Sequence, residues 1–227
     1  MFLFLRLVVG HLLGDFLFQT EGIVTAKREG VRGRMLHVSI IFASLLLTAL
    51  PFLCEGRLWL VITASAVAHY GIDDIKIKII EPRWSIAAFV TDQALHLLAL
   101  APVMLLPVSW QKPAGTNALI AIYNNNTLLV GCAGYLASGF AGTYLWNSIV
   151  RTFALKNTCL SKGPFMYGVI ERALFTTASL GIFFLPLALL PCAIRLMSKR
   201  GFPAPEFSFN LIYACAIGIL IRRFAPG

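Results

Sequence analysis

The chain has 227 residues, of which 58% are hydrophobic and 13% charged, against roughly 45–50% and about 25% in soluble globular domains. That composition excludes a water-soluble enzyme, a disordered tail and a disulfide scaffold, and reads as a polytopic membrane protein. The surplus of 19 Lys+Arg over 10 Asp+Glu fits cytoplasmic loops and anionic headgroups, so lipids and no nucleic acid are the expected partners.

A spanning helix needs about 20 apolar residues, and the expected fold is an all-α transmembrane helix bundle of about seven spans, with six to eight as the limits. In chain order they are Phe2–Gln19, Met35–Cys54, Leu58–Ile75, Ile86–Val108, Thr127–Val150, Gly168–Met197 and Phe207–Ile221. The first run has no basic stretch ahead of it and no A-x-A site behind it, so it reads as a retained helix and not a signal peptide. Residues 111–126, with Lys112-Pro113 and three consecutive asparagines, read as a loop with a short interfacial turn. The chain thus divides into a site-bearing half, 1–110, the loop 111–126 and a C-terminal transmembrane half, 127–227, forming one membrane domain. No internal repeat is legible. The cysteines (Cys54, Cys132, Cys159, Cys192, Cys215) form no C-x-x-C pair and read as small apolar residues.

Loop charge sets the orientation. Lys27, Arg28, Arg32 and Arg34 lie in the first loop, Lys76, Lys78 and Arg83 in the third, and Arg151, Lys156 and Lys162 in the fifth, while the second and fourth carry only Arg57 and Lys112. Odd loops are then cytoplasmic, with the N-terminus outside and the C-terminus, behind Arg222-Arg223, inside. Arg195, Lys199 and Arg200 in the sixth loop run against this pattern. A re-entrant sixth segment, or a last segment that does not cross, would resolve the conflict differently.

All four histidines and all four aspartates lie in the first 96 residues. His11 and Asp15, His69 and Asp73, and Asp92 and His96 are each four apart, which puts both members of a pair on one helix face. His37 adds an imidazole from the second helix. Given the orientation above, Asp15, His37, Asp73 and Asp92 should share one depth, with His11, His69 and His96 about one turn deeper. Gly14 and Gly71, beside two of the pairs, are expected to let helices approach closely. Helical phasing favours Asp73 over Asp74 as the partner of His69, by about 40° against about 140° of separation.

An ionised carboxylate at membrane depth costs several kcal/mol, so it needs a partner or a cation. Imidazole nitrogen with carboxylate oxygen is a ligand set for zinc, manganese or iron. One or two such divalent ions are expected, held among His11, Asp15, His37, His69, Asp73, Asp92 and His96. Gln19 lies near the face of His11, and Lys27, Lys76 and Lys78 sit just beyond the acids. Singly these lysines read as snorkelling, positive-inside residues; beside a metal they suit a phosphate.

The segments His11-Leu-Leu-Gly14-Asp15-Phe-Leu-Phe-Gln19-Thr20, Ala26-Lys27, His37, His69-Tyr-Gly-Ile-Asp73 and Asp92-Gln93-x-Leu-His96 together resemble a bacterial membrane family catalogued as domain of unknown function 3307. Gly168-x-x-Glu171-Arg172 is similar to a later motif of that family. The resemblance covers about the first 100 residues and implies a bacterial inner-membrane protein, and it carries no activity.

From the residues, the first functional expectation is an intramembrane metal-dependent hydrolase acting near the cytoplasmic face on a phosphorylated or lipid-like substrate. In it Asp15 or Asp92 serves as base, and Gln19, Lys27 and Lys76 bind substrate. The alternative is an ion- or proton-coupled transporter using the same cluster, against which stands the lack of visible repeats or paired broken helices. A haem carrier needs no i+4 carboxylates and fits less well. A scaffold with a structural polar network also remains open, as does a homo-oligomer. Glu171 and Arg172 read either as a charge pair or as a closure of the site.

Overall fold

The computed structural model describes residues 2–79, 85–153, 162–197 and 204–225. Arg83, Lys156, Cys159, Lys199 and Arg200 lie outside the described residues. The fold is all-α, with no strand among the described residues. Two compact units divide the chain, Met1–Leu129 and Val130–Gly227.

In the first unit, helix α1 (Phe2–Leu12) runs into one turn of π-helix, Leu13–Leu17. The chain then bends by 86° into α2 (Glu21–Glu29). Thr20 caps α2, its hydroxyl accepting from the Ile23 amide at 3.5 Å, and Glu21 in the first turn suits the positive end of the helix. Helices α3 (Val31–Thr48), α4 (Gly56–Ile79) and α5 (Ser85–Leu100) follow, α5 extended by tight turns at Ala101–Leu105 and Pro107–Trp110. The expected loop contains a short helix, α6 (Ala118–Asn124), capped by the Asn117 side chain. Helix α3 packs on α1, α2 and α4, and α4 packs on α5.

The second unit begins within α7 (Asn126–Leu136), at Val130, and continues through a second π-turn (Ala137–Ala141), α8 (Gly142–Thr152), α9 (Lys162–Leu180), a 3-10 stretch (Ile182–Ala188), α10 (Leu189–Met197) and α11 (Ala204–Phe224). Helix α9 packs on α11, on the 3-10 stretch that follows it and on the π-turn. The sequence reading took 168–197 as one span. Instead the helix stops at Leu180, Gly181 is extended, and Pro186 falls within the 3-10 stretch, because proline removes a backbone donor and glycine weakens a helix.

Four segments are long and apolar enough to cross a membrane: 31–48, 85–105, 126–152 and 205–224. A fifth is added if the bent pair around residues 18–20 counts as one. This is fewer than the seven expected. Helix α4 is long but carries His69, Asp73, Asp74, Lys76 and Lys78, and 168–197 is broken. Beside an apolar core, burial departs from that of a soluble protein. Leu60, Val67, Leu98 and Ile212 are exposed, while Arg6, His37, Asp73, Asp92 and Arg172 are buried, as expected where lipid covers the outside.

Within the first unit the two kinds of core separate along the helices. Phe2, Leu3, Leu7, Ile41, Leu45, Ala49, Leu58, Ile62, Leu100 and Val103 make an apolar cluster at one end. The histidines and aspartates lie on the same four helices beyond it: after Leu7 on α1, before Ile41 on α3, after Ile62 on α4 and before Leu100 on α5. The antiparallel course of successive helices therefore brings the polar positions to one level.

Gly14 performs the close approach expected of it, since a Cβ there would lie 2.8 Å from Ile41 Cδ1 and 3.1 Å from Ile41 Cα. Gly71 does not: nothing lies within 4 Å of a Cβ built on it. Gly14→Ala should accordingly lose about 1–3 kcal/mol through overpacking, and Gly71→Ala should gain about 0.5–1 kcal/mol from helix propensity. Thermal unfolding of both variants in detergent checks the pair of opposite signs.

Candidate metal centre

Each ligand-type side chain reaches the centre for a local reason. His11 ends α1, and Asp15 sits in the π-turn that follows. Such a turn inserts a residue into the helix and re-aims what it carries, and π-turns occur often at functional sites. His37 lies in the second turn of α3, His69 and Asp73 share one face of α4, and Asp92 and His96 share one face of α5. All seven are buried, none more than 5% exposed.

The tightest part is the meeting of α1, α3 and α4. His37 Nε2 lies 3.1 Å from His69 Nε2 and 3.2 Å from Asp15 Oδ1, and His69 Nε2 lies 3.8 Å from the same oxygen. Asp73 Oδ2 is 3.5 Å from His37 Nε2 and 3.3 Å from His69 Nε2. Bonds of about 2.0–2.1 Å in a tetrahedral zinc site give ligand–ligand edges of roughly 3.3 Å, so these atoms stand at the spacing of a coordination shell. Two imidazole nitrogens and two carboxylate oxygens facing one another are a set dominated by acceptors. Only protons or a cation can reconcile them.

On the other side, His96 Nε2 is 3.4 Å from Asp92 Oδ1, yet neither ring nitrogen of His96 has a hydrogen bond among the described residues. The His96 ring stacks on that of His69, centroids 3.9 Å apart. Three buried triads can hold an ion: Asp15, His37 and His69; His69, Asp73 and His96; Asp15, Asp92 and His96. They share members and form one continuous cluster. His11 belongs to none of them. Its ring lies 5.2 Å from that of His96 and 5.5 Å from that of His69, and its Nε2 is 3.4 Å from Gln93 Oε1.

Gln93, whose neutral amide carries no signal in the spacing of acids and histidines, joins the centre. Its amide donates to Asp15 Oδ2 at 3.2 Å and to Asp92 Oδ2 at 3.0 Å, and its oxygen faces His11. It ties α1 to α5. Its position next to Asp92 was the available signal.

The lysines are engaged with the acids. Lys27 Nζ lies 2.7 Å from Asp73 Oδ2 and donates to Gln19 Oε1 at 3.3 Å. Lys76 Nζ lies 2.5 Å from Asp92 Oδ2. Three carboxylates (Asp15, Asp73, Asp92) and two ammonium groups leave one negative charge when the imidazoles are neutral, so the site favours a cation. Asp74 stands apart, paired with Lys78 at 2.5 Å and Arg34 at 3.3 Å, as the phasing argument required.

Glu171 and Arg172 do not pair as the sequence suggested. Glu171 accepts from Arg195 Nε at 2.5 Å and Nη2 at 2.6 Å, while Arg172 turns to Ser138, Gly139, Thr143 and Asn210. Arg6, which drew no attention in the sequence, is buried at the far end of α1. It donates to Phe2 O, Asn126 Oδ1 and Tyr123 O, with its guanidinium 3.2 Å from the centre of the Phe2 ring.

A family model described as "Protein of unknown function (DUF3307)" matches residues 3–126, more than half of the chain and every residue of the cluster. No curated protein and no solved structure gives a match. The chain belongs to the DUF3307 family.

Gln93→Leu should cost about 2 kcal/mol, because Asp15, Asp92 and His11 each lose a shared partner in a buried setting. Asp74→Asn should leave the melting temperature unchanged. Thermal melts in one detergent test both, and equal effects would mean that Gln93 does not bridge the site.

Proposed function

We propose that this member of a family without an assigned activity is an intramembrane metal-dependent hydrolase. It acts near the cytoplasmic face on a phosphorylated or lipid-like substrate. The observation that carries the reading is the convergence of Asp15 Oδ1, His37 Nε2 and His69 Nε2 from three helices at coordination-shell spacing, all buried. One or two ions of zinc, manganese or iron suit this oxygen and nitrogen set. Such an ion, when bound, supplies Lewis acidity and a more acidic water.

The chain's own groups take the remaining roles. Asp15, His37, His69, Asp73, Asp92 and His96 are the ligand candidates, with His11 positioned behind them through Gln93. Whichever of Asp15 and Asp92 is not a ligand serves as general base. Lys27 and Lys76 neutralise Asp73 and Asp92 and lie at the rim, where each offers an ammonium to a substrate anion, with Gln19 beside Lys27. In this reading α4 and α9 also cross the membrane, which raises the spans towards seven. The N-terminus is outside a bacterial inner membrane, the C-terminus is cytoplasmic, and helix α2 with Lys27 and the C-terminal end of α4 with Lys76 face the cytoplasm.

One observation favours a second reading, an ion- or proton-coupled transporter. The Lys27–Asp73 and Lys76–Asp92 contacts hold tethered cations on acids that adjoin buried imidazoles, an arrangement able to exchange protons for a transported cation.

Protein purified without chelator or polyhistidine tag should contain about one or two equivalents of a transition metal, and His69→Ala/Asp73→Ala should lose it. Phosphomonoester and phospholipid hydrolysis should fall at least about 100-fold in Asp92→Ala. Metal without hydrolysis, but with cation flux in liposomes that the same variants abolish, would establish the transporter. No metal after reconstitution would overturn the metal site itself.

A further inference from the structure

The same irregular element stands at the start of the chain and again across the boundary between the two units. Phe2–Leu12 is an 11-residue helix followed by a five-residue π-turn, Leu13–Leu17; Asn126–Leu136 is an 11-residue helix followed by a five-residue π-turn, Ala137–Ala141. Every boundary is displaced by the same 124 positions, 126 against 2 and 137 against 13. π-Helix is rare, and these are the two instances among the described residues. At this displacement Gly10, Leu12 and Phe16 fall on Gly134, Leu136 and Phe140, and His11 falls on Tyr135.

A second stretch aligns at a displacement of 135, 168 against 33. Gly33 falls on Gly168, Ala43-Ser44-Leu45 on Ala178-Ser179-Leu180, and Leu50-Pro51 on Leu185-Pro186. The register places Arg172 at the position of His37 and Thr176 at that of Ile41.

Contacts that played no part in setting these registers agree with them. Gly14 lies against Ile41, and their counterparts Ser138 and Thr176 are joined by a 2.7 Å hydrogen bond. Asp15 Oδ1 lies 3.2 Å from His37 Nε2; at the matching positions, Arg172 Nη2 donates to Gly139 O at 2.7 Å. His69 of the long helix α4 meets His37 at 3.1 Å, and Asn210 of the long helix α11 accepts from Arg172 at 2.6 Å. One turn on from each stand Asp73 and Ala214.

We infer that the chain is an internal duplication, and that the second unit keeps a counterpart of the Asp15–His37–His69 site in which the Arg172 guanidinium is the resident cation. Arg172 is 1% exposed. Its Nε donates to Ser138 O at 2.8 Å, Nη1 to Asn210 Oδ1, and Nη2 to Gly139 O and to the Thr143 hydroxyl. Two of these acceptors are carbonyls of the π-turn, where the i→i+4 pattern is broken. The adjacent carboxylate, Glu171, is taken by Arg195 and by the amide of Asn210, whose oxygen faces Arg172. Neutral oxygens therefore solvate a cation supplied by the chain, where the first unit presents carboxylates and imidazoles that can bind one from outside. Among the described residues the second unit is thereby closed to metal, and the first is the single metal-binding unit. Repeated units are also the building plan of many carriers, so the lack of a legible repeat no longer counts against that alternative.

Exchanging the two sets of residues in the full-length protein tests this. Gly139→Asp/Arg172→His/Asn210→His/Ala214→Asp, made in the His69→Ala/Asp73→Ala background, should restore binding of about one Co²⁺, read from its visible absorption and by titration calorimetry. This arm rests on the metal reading of the first unit, so wild type is titrated alongside. A folded exchange variant that gains no Co²⁺ while wild type binds it would overturn the inference. Wild type that binds none would count against the proposed function, leaving the second arm to decide. That arm needs no metal: Asp15→Gly/His37→Arg/His69→Asn/Asp73→Ala should melt above Asp15→Gly/His37→Leu/His69→Asn/Asp73→Ala, because the first unit would supply the same oxygen cradle for a guanidinium. The reverse order would overturn the duplication, since an arginine buried without that cradle is strongly destabilising.

Discussion

The constraint on which the first unit depends is the cost of holding three carboxylates in a medium that cannot solvate them. Asp15, Asp73 and Asp92 are each at most 5% exposed, and an ionised acid taken out of water costs several kcal/mol unless it is paired. Four helices and one amphipathic segment contribute to meeting that cost. Imidazoles come from α1, α3, α4 and α5, ammonium groups from α2 and α4, and one amide, Gln93, bridges Asp15 and Asp92. Any helix displaced from this arrangement would leave a charge unpartnered. The apolar cluster at the other end of the unit fixes the helices together, and the polar cluster fixes their rotation and register.

The 86° bend after the π-turn belongs to the same logic. Continuing α1 straight would have carried Lys27 along the helix axis and away from Asp73. Turning at residues 18–20 instead lays α2 beside α3, and Lys27 reaches an acid on α4 at 2.7 Å. Helix α2 has no buried residue, so its place is set by that ion pair, by its contact with α3 and by the Thr20 cap rather than by a hydrophobic face of its own.

Much of this was legible in the chain because helices translate spacing into direction. The i, i+4 pairs predicted shared faces, and phasing alone separated Asp73 from Asp74, which the structure gives to Lys78 and Arg34. The all-α class followed from composition. What stayed hidden was what spacing does not encode. Gln93 is polar but uncharged, so nothing in a charge census marks it. Arg6 reads as one base in an apolar run, and its partners Tyr123 and Asn126 come from more than a hundred residues later. Gly71 looks like Gly14 in sequence, yet only Gly14 faces a neighbouring backbone. The break at Gly181 was concealed because phenylalanine and leucine keep hydropathy high through a stretch that is no longer α-helical.

The repeat escaped for a related reason. Its conserved part is a backbone irregularity, while the residues at its chemical centre have changed type: aspartate to glycine, imidazole to guanidinium, imidazole to amide. Those changes are mutually consistent. A guanidinium brings its own charge and five donors, so it needs neutral acceptors, and carbonyls of a π-turn provide two of them. An imidazole brings no fixed charge, so its surroundings must supply carboxylates and an outside cation or proton must balance them. Each unit is internally coherent in a way that a mixture would not be: an arginine among three acids would quench the site, and a histidine among bare carbonyls would leave them short of donors. The same irregular helix thus serves two opposite electrostatic solutions, one closed by the chain itself and one left able to bind.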